Sequence, residues 1–338
     1  MKLMICGGAG FIGSNFIHYL LRERPDWQLL NFDALTYAGN PENLRAIESD
    51  KRYAFMKGDI SDAGAVAKAI QEFAPDAIVN FAAETHVDRS IHGGAADFVR
   101  TNVSGTQTIL EAVKSAKIPR FVQISTDEVY GALPLEGGEP FTEETPFAPN
   151  SPYAASKAGG DLLCRAYFKT YGVPVIVTHA SNNYGPFQFP EKLIPFMVMK
   201  ALADEKLPIY GDGKNIRDWL HVDDHCSGIL AVLEKGKPGE VYNIGADAER
   251  ANIDIAKRIL QILGKPESLL TFVADRPGHD RRYSVSSEKL KRELGWHPEY
   301  DSARFDEGLR QTVEWYKMHG SWMKGAVDNS KSVNSHIA

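Results

Sequence analysis

The chain has 338 residues, of which 43% are hydrophobic and 24% charged, and a formal net charge of −6 at pH 7. This length and composition are typical of a globular protein with ample core and exclude a disordered chain. The negative charge argues against a nucleic-acid-binding protein, and no apolar run reaches the ~18 residues of a membrane span.

In chain order, the first half alternates short apolar runs with segments of helical spacing. The runs typical of strands cover residues 3–6, 29–32, 77–81, 121–124 and 173–178. Helical spacing covers residues 11–21, 63–73 and 99–116, and a long helix begins at Pro152. Such alternation favours parallel strands joined by right-handed crossovers. We therefore predict an α/β fold with a Rossmann-type doubly wound parallel sheet over residues 1–181.

Pro and Gly interrupt the chain often after residue 181, and helices and short strands mix irregularly. This pattern predicts a smaller mixed α/β lobe over residues 182–322 that covers a ligand, with the chain free to cross between lobes. Residues 323–338 are small and polar without periodicity, so we expect a flexible tail.

The termini and cysteines indicate the compartment. The chain begins with an apolar strand rather than a charged leader, and Cys6, Cys164 and Cys226 are widely spaced with no C-x-x-C pair. These features predict a cytoplasmic protein without a disulfide framework or a thiolate metal site.

A glycine-rich segment, Gly7-Gly-Ala-Gly10-Phe-Ile-Gly13, follows the first strand and opens a helix. Glycine permits the tight turn and lets backbone amides approach a pyrophosphate. Asp33 ends the second strand, where a carboxylate accepts from adenosine ribose hydroxyls and repels the 2′-phosphate of NADP. Asp59 and Ile60 follow the third strand and are expected at the adenine edge. These signals together predict NAD binding, although each acidic residue alone is equally typical of an ordinary turn.

Tyr153-Ala-Ala-Ser-Lys157 places a phenol and an ammonium four residues apart on one helix face. We expect the cation and the nicotinamide charge to lower the tyrosine pKa, so that the phenolate serves as a base. A surface tyrosine and lysine would show the same spacing. The preceding dinucleotide motif and a fifth strand ending in Ser125-Thr126, whose hydroxyl is placed to hold a substrate oxygen, favour the catalytic interpretation.

Asp127 and Glu128 directly follow Thr126. Because a ketone at C4 of a hexose acidifies the C5 proton, one carboxylate can remove that proton while a carboxylic acid protonates the departing C6 hydroxyl. Neighbouring strand residues point to opposite faces, so both can act only if the strand has already turned. A solvated Asp-Glu pair at a strand end is the alternative.

From residue 1 to about 322 the chain resembles the extended short-chain dehydrogenase/reductases. Long strings within it are similar to the dTDP-glucose 4,6-dehydratases; they cover residues 32–40, 82–90, 126–131, 181–193, 211–219 and 275–283. The resemblance implies that Tyr153 takes the 4-hydroxyl proton as NAD takes the C4 hydride. It also implies that Glu128 removes the C5 proton, that Asp127 protonates the leaving hydroxyl, and that the hydride returns to C6.

The resemblance also implies binding residues and an assembly. Lys157 would orient the cofactor, Thr126 would contact the sugar, and a homodimer would form through residues 99–116 and 153–171. The predicted cofactor residues are Gly7, Gly10, Phe11, Ile12, Gly13, Asp33, Ala34, Leu35, Thr36, Asp59, Ile60, Ala82, Ala83, Thr101, Tyr153, Lys157 and Asn183. The predicted substrate residues are Thr85, His86, Ser90, Thr126, Asn182, Lys192, Leu193, Pro208, Ile209, Tyr210, Arg217, Asn252, Arg276 and His279.

Three alternatives remain open at this point. A related nucleotide-sugar epimerase or decarboxylase would keep Tyr153 and Lys157, and the sugar carrier could be UDP, CDP or GDP, because only the resemblance indicates thymine. A catalytically silent dinucleotide-binding protein would normally lose the tyrosine or the lysine. His221 and His225 at helical spacing suggest a metal site, but no third ligand is evident; we predict no metal and a helix start capped by aspartate.

Overall fold

The structure is a computed structural model that describes residues 1–275 and 279–334. Its strands are β1 (Lys2–Cys6), β2 (Gln28–Asp33), β3 (Tyr53–Lys57), β4 (Ala77–Asn80), β5 (Phe121–Thr126), β6 (Val175–Ala180), β7 (Asn182–Tyr184), β8 (Leu207–Tyr210), β9 (Ile216–His221), β10 (Val241–Ile244), β11 (Glu249–Ala251) and β12 (Leu270–Val273). Its α-helices are α1 (Phe11–Glu23), α2 (Ala63–Phe73), α3 (Val87–His92), α4 (Ala96–Phe98), α5 (Thr106–Ala116), α6 (Pro152–Tyr171), α7 (Leu193–Leu202), α8 (Val222–Lys235), α9 (Asn252–Leu263), α10 (Glu288–Leu294), α11 (Phe305–Met318) and α12 (Gly320–Asn334).

A seven-stranded sheet with the order β10-β6-β5-β4-β1-β2-β3 forms the centre of the molecule. All its neighbouring pairs are parallel. Most of these strands are apolar because helices cover both faces of a parallel sheet. The strand order reverses between β1 and β4, and ligands of doubly wound sheets bind in the crevice at such a point. The predicted Rossmann-type fold is confirmed.

The chain returns to this sheet after it has entered the second lobe. Strand β10 pairs with β6, and helix α8 packs against α1. The second lobe contains two small sheets, one of β11, β9 and β7 and one of β12 and β8. Residues 182–322 therefore contribute to both lobes, and the hydrophobic core runs continuously between them.

Helix α6 shows how the sequence sets an element that carries site residues. The Ser151 hydroxyl accepts a hydrogen bond from the backbone N–H of Ala154 at 3.1 Å, and Pro152 occupies the first turn. Gly172, in the left-handed conformation with a φ of 70°, ends the helix. A side-chain cap, an N-terminal proline and a C-terminal glycine are the signals expected for a helix of this length.

The helical run at residues 96–116 is less regular than its sequence predicts. Residues 99–105 are wound as a π-helix between α4 and α5. Within it, Asn102 exchanges hydrogen bonds with the backbone of Glu84, accepting from its N–H and donating to its carbonyl at 3.0 Å each. Asn102 can make these contacts because its side chain is turned toward the segment after β4. Regular helical spacing in the sequence does not reveal that orientation.

The C-terminal segment differs from the expected tail. Residues 320–334 form helix α12, and Met323 and Ala326 on it are buried. The sequence signal was weak because most residues of this segment are small and polar. Residues 335–338 lie outside the described part. No helix in residues 1–275 and 279–334 is long and apolar enough to cross a membrane.

Candidate active site

A deep cleft opens where the sheet strands end, between the large sheet and the second lobe. Its wall includes the glycine turn after β1, Asp33 at the end of β2, Thr126 at the end of β5 and Lys192 from the second lobe. The empty space in the cleft, including the part open to solvent, is about 1740 Å³. Because residues of both lobes form the wall, a dinucleotide on the sheet side would lie next to a ligand held by the second lobe.

The glycine turn is built to receive a phosphate group. A Cβ at Gly7, whose φ is 77°, would lie 2.5 Å from the backbone nitrogen of Ala82, and one at Gly13 would lie 2.3 Å from the carbonyl oxygen of Gly7. The turn therefore needs glycine at both positions. Gly10 is the N-cap of α1 and contributes no side-chain cap, so the first-turn amides face the cleft. This helix N-terminus fits the diphosphate of NAD.

Asp33 is held rigidly at the predicted ribose position. Its Oδ2 accepts from the backbone N–H of Ala9 at 2.8 Å, and its Oδ1 accepts from that of Leu35 at 2.7 Å. Burial raises the pKa of this carboxyl, and the two backbone hydrogen bonds oppose the rise. Each carboxylate oxygen keeps a further lone pair, so Asp33 can still accept from a ribose hydroxyl.

Tyr153 and Lys157 lie on the cleft wall one turn apart on α6. Lys157 Nζ donates to the backbone carbonyl of Ile124 on β5 at 2.7 Å. Burial lowers the pKa of Lys157, and the charge of Asp161, one turn further along α6, acts in the opposite direction. The ammonium is thus fixed between the helix and the end of β5.

Strand β5 ends at Thr126, so the chain turns directly before the neighbouring carboxyls of Asp127 and Glu128. A 3₁₀ helix, Asp127–Tyr130, begins directly after β5, and Thr126 is its N-cap. The Thr126 hydroxyl also interacts with Oδ1 of Asp127 at 3.3 Å. Because the backbone leaves the extended conformation here, Asp127 and Glu128 both lie on the cleft wall with Tyr153, as their proposed joint action needs.

The two carboxyls differ in environment. Asp127 is only 2% exposed, and its Oδ2 has no hydrogen-bond partner within residues 1–275 and 279–334. Burial, followed by the nearby charge of Glu128, raises its pKa well above the ordinary value, although Arg217 opposes the rise. The raised pKa favours the protonated carboxyl of Asp127, which is the form that donates a proton.

Without a bound dinucleotide, the surroundings of Tyr153 act against the lowered pKa that we expect when the nicotinamide charge is present. Burial and the charge of Glu128 raise the pKa of Tyr153 well above its ordinary value, and a hydrogen bond with Thr126 opposes this only in part. A cationic ring bound in the cleft would act in the opposite direction.

The predicted cofactor residues lie on the cleft wall with the exception of Leu35. Leu35 has a φ of 54° and contributes its backbone N–H to Asp33 instead. Asp59, expected at the adenine edge, is on the wall, and its carboxylate pairs with Arg100 at 2.9 Å and accepts from the N–H of Ser61 at 2.8 Å.

The predicted substrate residues are divided by the structure. Four of them, Thr85, Thr126, Asn182 and Lys192, lie on the cleft wall, where Lys192 Nζ donates to the backbone carbonyl of Thr85 at 3.3 Å. The others do not line it: His86, Ser90, Leu193, Pro208, Ile209, Tyr210, Arg217, Asn252 and His279. Arg276 lies outside the described residues.

Arg217, expected to hold a phosphate, is buried on β9. Its guanidinium donates to the backbone carbonyls of Ile216 at 2.7 Å and Asp280 at 2.9 Å, and it lies 4.4 Å from the ring centre of Tyr283. The charge of Arg217 also acts on Asp127. Arg217 is thus close enough to influence the pKa of Asp127, although it does not line the cleft.

The two histidines of the metal alternative have structural roles. The predicted aspartate cap is wrong, because His221 Nδ1 itself accepts from the backbone N–H of Asp223 at 3.3 Å and begins α8. His225 Nδ1 lies 2.9 Å from Oδ1 of Asn183 and lines the cleft. Burial lowers the pKa of His225 to about 3, so its ring is neutral.

Several wall residues were not named as site residues in the sequence analysis, although some lie in strings that carry the family resemblance. Tyr37 and Asn43 come from the segment after β2, and Phe187, Gln188 and Glu191 from the segment after β7. Trp322 reaches the wall from α12. The only sequence hint that Trp322 has a role is that this tryptophan stands next to an otherwise small and polar segment.

Comparison with known proteins agrees with this geometry. A family model described as GDP-mannose 4,6 dehydratase matches residues 4–312. The dTDP-glucose 4,6-dehydratase of Xanthomonas campestris pv. campestris (strain B100) is 51% identical over 345 residues, which cover 97% of this chain and 96% of that protein.

Solved structures give the same result. The Bacillus anthracis dTDP-glucose 4,6-dehydratase in complex with NAD has a TM-score of 0.89 and 50% identity, covering 96% of this chain and 99% of that one. The Streptomyces venezuelae dTDP-glucose 4,6-dehydratase with NAD bound has a TM-score of 0.91 and 48% identity, covering 96% and 100%. The chain therefore belongs to the extended short-chain dehydrogenase/reductase family, in the group whose curated members are the dTDP-glucose 4,6-dehydratases.

Proposed function

We propose that the protein is an NAD-dependent hydro-lyase that converts dTDP-glucose to dTDP-4-keto-6-deoxyglucose and water in deoxysugar biosynthesis, including that of dTDP-rhamnose. The observation that carries this proposal is the turn at Thr126, which places a buried acid, a second carboxyl and Tyr153 on one wall beside the dinucleotide turn. A simple alcohol dehydrogenase or an epimerase has no use for the two carboxyls.

Oxidation at C4 needs a base for the 4-hydroxyl proton. The chemistry that NAD supplies when bound is hydride exchange with the sugar carbons. Tyr153 is the base, and Thr126, which is hydrogen-bonded to it, holds the sugar oxygen in line. Lys157, fixed by its hydrogen bond to the carbonyl of Ile124, has further donors available for the ribose hydroxyls of the dinucleotide.

Loss of water from C5 and C6 uses the carboxyl pair. Glu128 removes the C5 proton that the new ketone has acidified. Asp127 donates its proton to the departing C6 hydroxyl, and burial, which raises the pKa of this carboxyl, favours the protonated form needed for that step. The two groups thus act as base and acid in a single elimination, which is the division of roles that unequal environments create.

The lobes divide the binding work in this proposal. Residues 1–181 mainly hold the dinucleotide, and residues 182–322 mainly hold the nucleotide-sugar. Asn182 and Lys192, which both reach the cleft, supply donors to the sugar diphosphate. Arg276 remains a predicted phosphate ligand, and the strand residues Pro208, Ile209 and Tyr210 a predicted surface for the base.

We also propose a cytoplasmic homodimer. Helices α5 and α6 pack side by side and carry apolar residues that face away from the sheet. Leu162 and Tyr171 on α6 are 56% and 57% exposed, and Val99 at the start of the π-helix is 49% exposed. Pairing of these helices with their copies would bury those side chains in a four-helix contact.

Isotope transfer tests the reaction. The purified protein is incubated with dTDP-glucose that carries deuterium at C4, and the product is analysed by mass spectrometry and NMR. We expect loss of one water with the deuterium recovered at C6. If the mass does not change, UDP-, CDP- and GDP-hexoses are tested next; inversion at C4 without loss of water would replace the dehydratase by an epimerase.

A further inference from the structure

Trp322 forms part of the cleft wall although it belongs to neither the Rossmann motif nor the carboxyl turn. It lies in the first turn of α12, and its indole Nε1 donates to Oδ1 of Asn43 at 2.9 Å. Both side chains line the cleft. The C-terminal helix is thus attached directly to the dinucleotide lobe.

Asn43 connects Trp322 to the glycine turn. The side-chain Nδ2 of Asn43 donates to the backbone carbonyl of Ala9 at 3.1 Å. The backbone carbonyl oxygen of Asn43 lies 2.7 Å from Nε2 of His18 on α1. Asn43 is only 2% exposed. A hydrogen-bonded path therefore runs from Trp322 through Asn43 to the loop that is expected to cradle the diphosphate.

Aromatic packing holds the indole from its other side. The ring centre of Trp322 lies 5.9 Å from that of Phe187 and 5.3 Å from that of Trp315, both in edge-to-face orientation. Phe187, which adopts a φ of 66°, also lines the cleft. Edge-to-face aromatic pairs stabilise the packing by more than their buried area accounts for. Met323 and Ala326 are also buried, and they hold in place the helix that carries Trp322.

We propose that Trp322 is a positioning residue that retains the bound dinucleotide, by closing the cleft wall next to the glycine turn and holding that turn through Asn43. This inference rests on the NAD dependence of the proposed function. A reaction that takes a hydride from C4 and returns it to C6 consumes no cofactor, so turnover does not require the dinucleotide to leave. A closed wall of this kind slows dissociation without slowing catalysis.

Two variants separate the contributions of the indole. Trp322→Phe keeps an aromatic ring but removes the hydrogen bond to Asn43, and Trp322→Ala removes the wall. Trp315→Phe is the matched control, because Trp315 belongs to the same aromatic cluster but does not line the cleft. Thermal melts of each protein without added ligand establish that the variants fold.

The measurement is the dissociation rate of NAD from the loaded protein, followed by dilution and by mass spectrometry of the cofactor that stays bound. We expect Trp322→Phe to release NAD roughly fivefold faster and Trp322→Ala more than about tenfold faster, with little change for Trp315→Phe.

Three results would overturn the inference. NAD release at the wild-type rate in both Trp322 variants would show that the indole does not retain it. If Trp315→Phe released NAD as fast as Trp322→Phe, the effect would come from the packing of the aromatic cluster in general and not from Trp322. Failure of the wild-type protein to bind NAD at all would remove the proposed function itself, so the two failures are distinguishable.

Discussion

The hydroxyl of Thr126 accepts a hydrogen bond from the backbone N–H of Glu128 at 3.3 Å, at the point where strand Phe121–Thr126 becomes a 3₁₀ turn. In a continuing strand the side chains of residues 127 and 128 would point to opposite faces. The capped turn brings both to the cleft instead. The acid and the base of the proposed elimination are therefore neighbours in sequence because one threonine ends the strand.

Glu128→Gln should stop the reaction after oxidation at C4. The amide cannot accept the C5 proton, while Tyr153 and Lys157 are untouched, so reduced cofactor should accumulate on the enzyme. Removal of a general base typically costs about 10²- to 10⁴-fold, and we expect a loss of water formation in that range. Stopped-flow absorbance of the reduced nicotinamide reports the first step, and product analysis reports the second.

The exposed Glu144 provides a matched control, and Glu144→Gln should behave as the wild type. Water formation at the wild-type rate in Glu128→Gln would show that this carboxylate is not the C5 base. Loss of both steps together would instead place Glu128 in substrate binding.

Asp127→Asn should lose activity and gain stability. The folded-state pKa of Asp127 lies well above its ordinary value of 3.8 because of burial and the charge of Glu128. Between those two values the folded protein binds more protons than the unfolded chain, so this carboxyl lowers the free energy of unfolding as the pH rises through that window. An uncharged amide of the same shape removes the pH-dependent cost.

Thermal melts across the pH range check this prediction. We expect the variant to have the higher Tm at neutral pH and the difference to disappear near pH 4. Water formation by the wild type should fall as the pH rises through the raised pKa of Asp127, and the variant should be nearly inactive throughout. A variant that is less stable at neutral pH would show that Asp127 is ionised in the folded protein.

The sequence located five strands of the large sheet and the residues that act locally, placed a third strand before Asp59 without bounds, and missed β10. The glycine turn, Asp33, the Asp127–Glu128 pair and the Tyr153–Lys157 spacing are all set by short segments whose geometry follows from residue type. Helix Ala63–Phe73 was predicted with its observed bounds, because Asp62 caps it through hydrogen bonds to the N–H groups of Gly64 and Ala65.

What could not be predicted depends on tertiary contacts. The Arg217 guanidinium donates to the carbonyls of Ile216 and Asp280, so its orientation depends on a partner far along the chain. Trp322 reaches the cleft because its helix packs on α11, and no local pattern encodes that. The raised pKa of Tyr153 depends on how deeply the fold buries it.

Leu162→Arg should dissociate the proposed dimer. Leu162 lies on α6 with 56% of its surface exposed in the single chain, and a charge there would be buried against its copy in the four-helix contact. Sedimentation velocity should then show a monomer. Met318→Arg is the control, since Met318 is 73% exposed on a different helix, and it should leave the oligomeric state unchanged. A monomeric wild-type protein would refute the dimer directly.

Asp33→Asn should weaken NAD binding and reduce the preference of the protein for NAD over NADP. The carboxylate offers a charged acceptor to the adenosine ribose and repels a 2′-phosphate, and the amide does neither as well. Loss of one charge-assisted hydrogen bond predicts roughly tenfold weaker NAD binding, whereas the affinity for NADP should rise or stay the same. Calorimetric titration of the cofactor-free protein with both dinucleotides measures the ratio. Asp59→Asn is the comparison variant. Because the Asp59 carboxylate is paired with Arg100 at 2.9 Å, its replacement should change the ratio of NAD to NADP affinity less. If the Asp33 variant keeps the wild-type ratio, the preference for NAD arises elsewhere in the cleft.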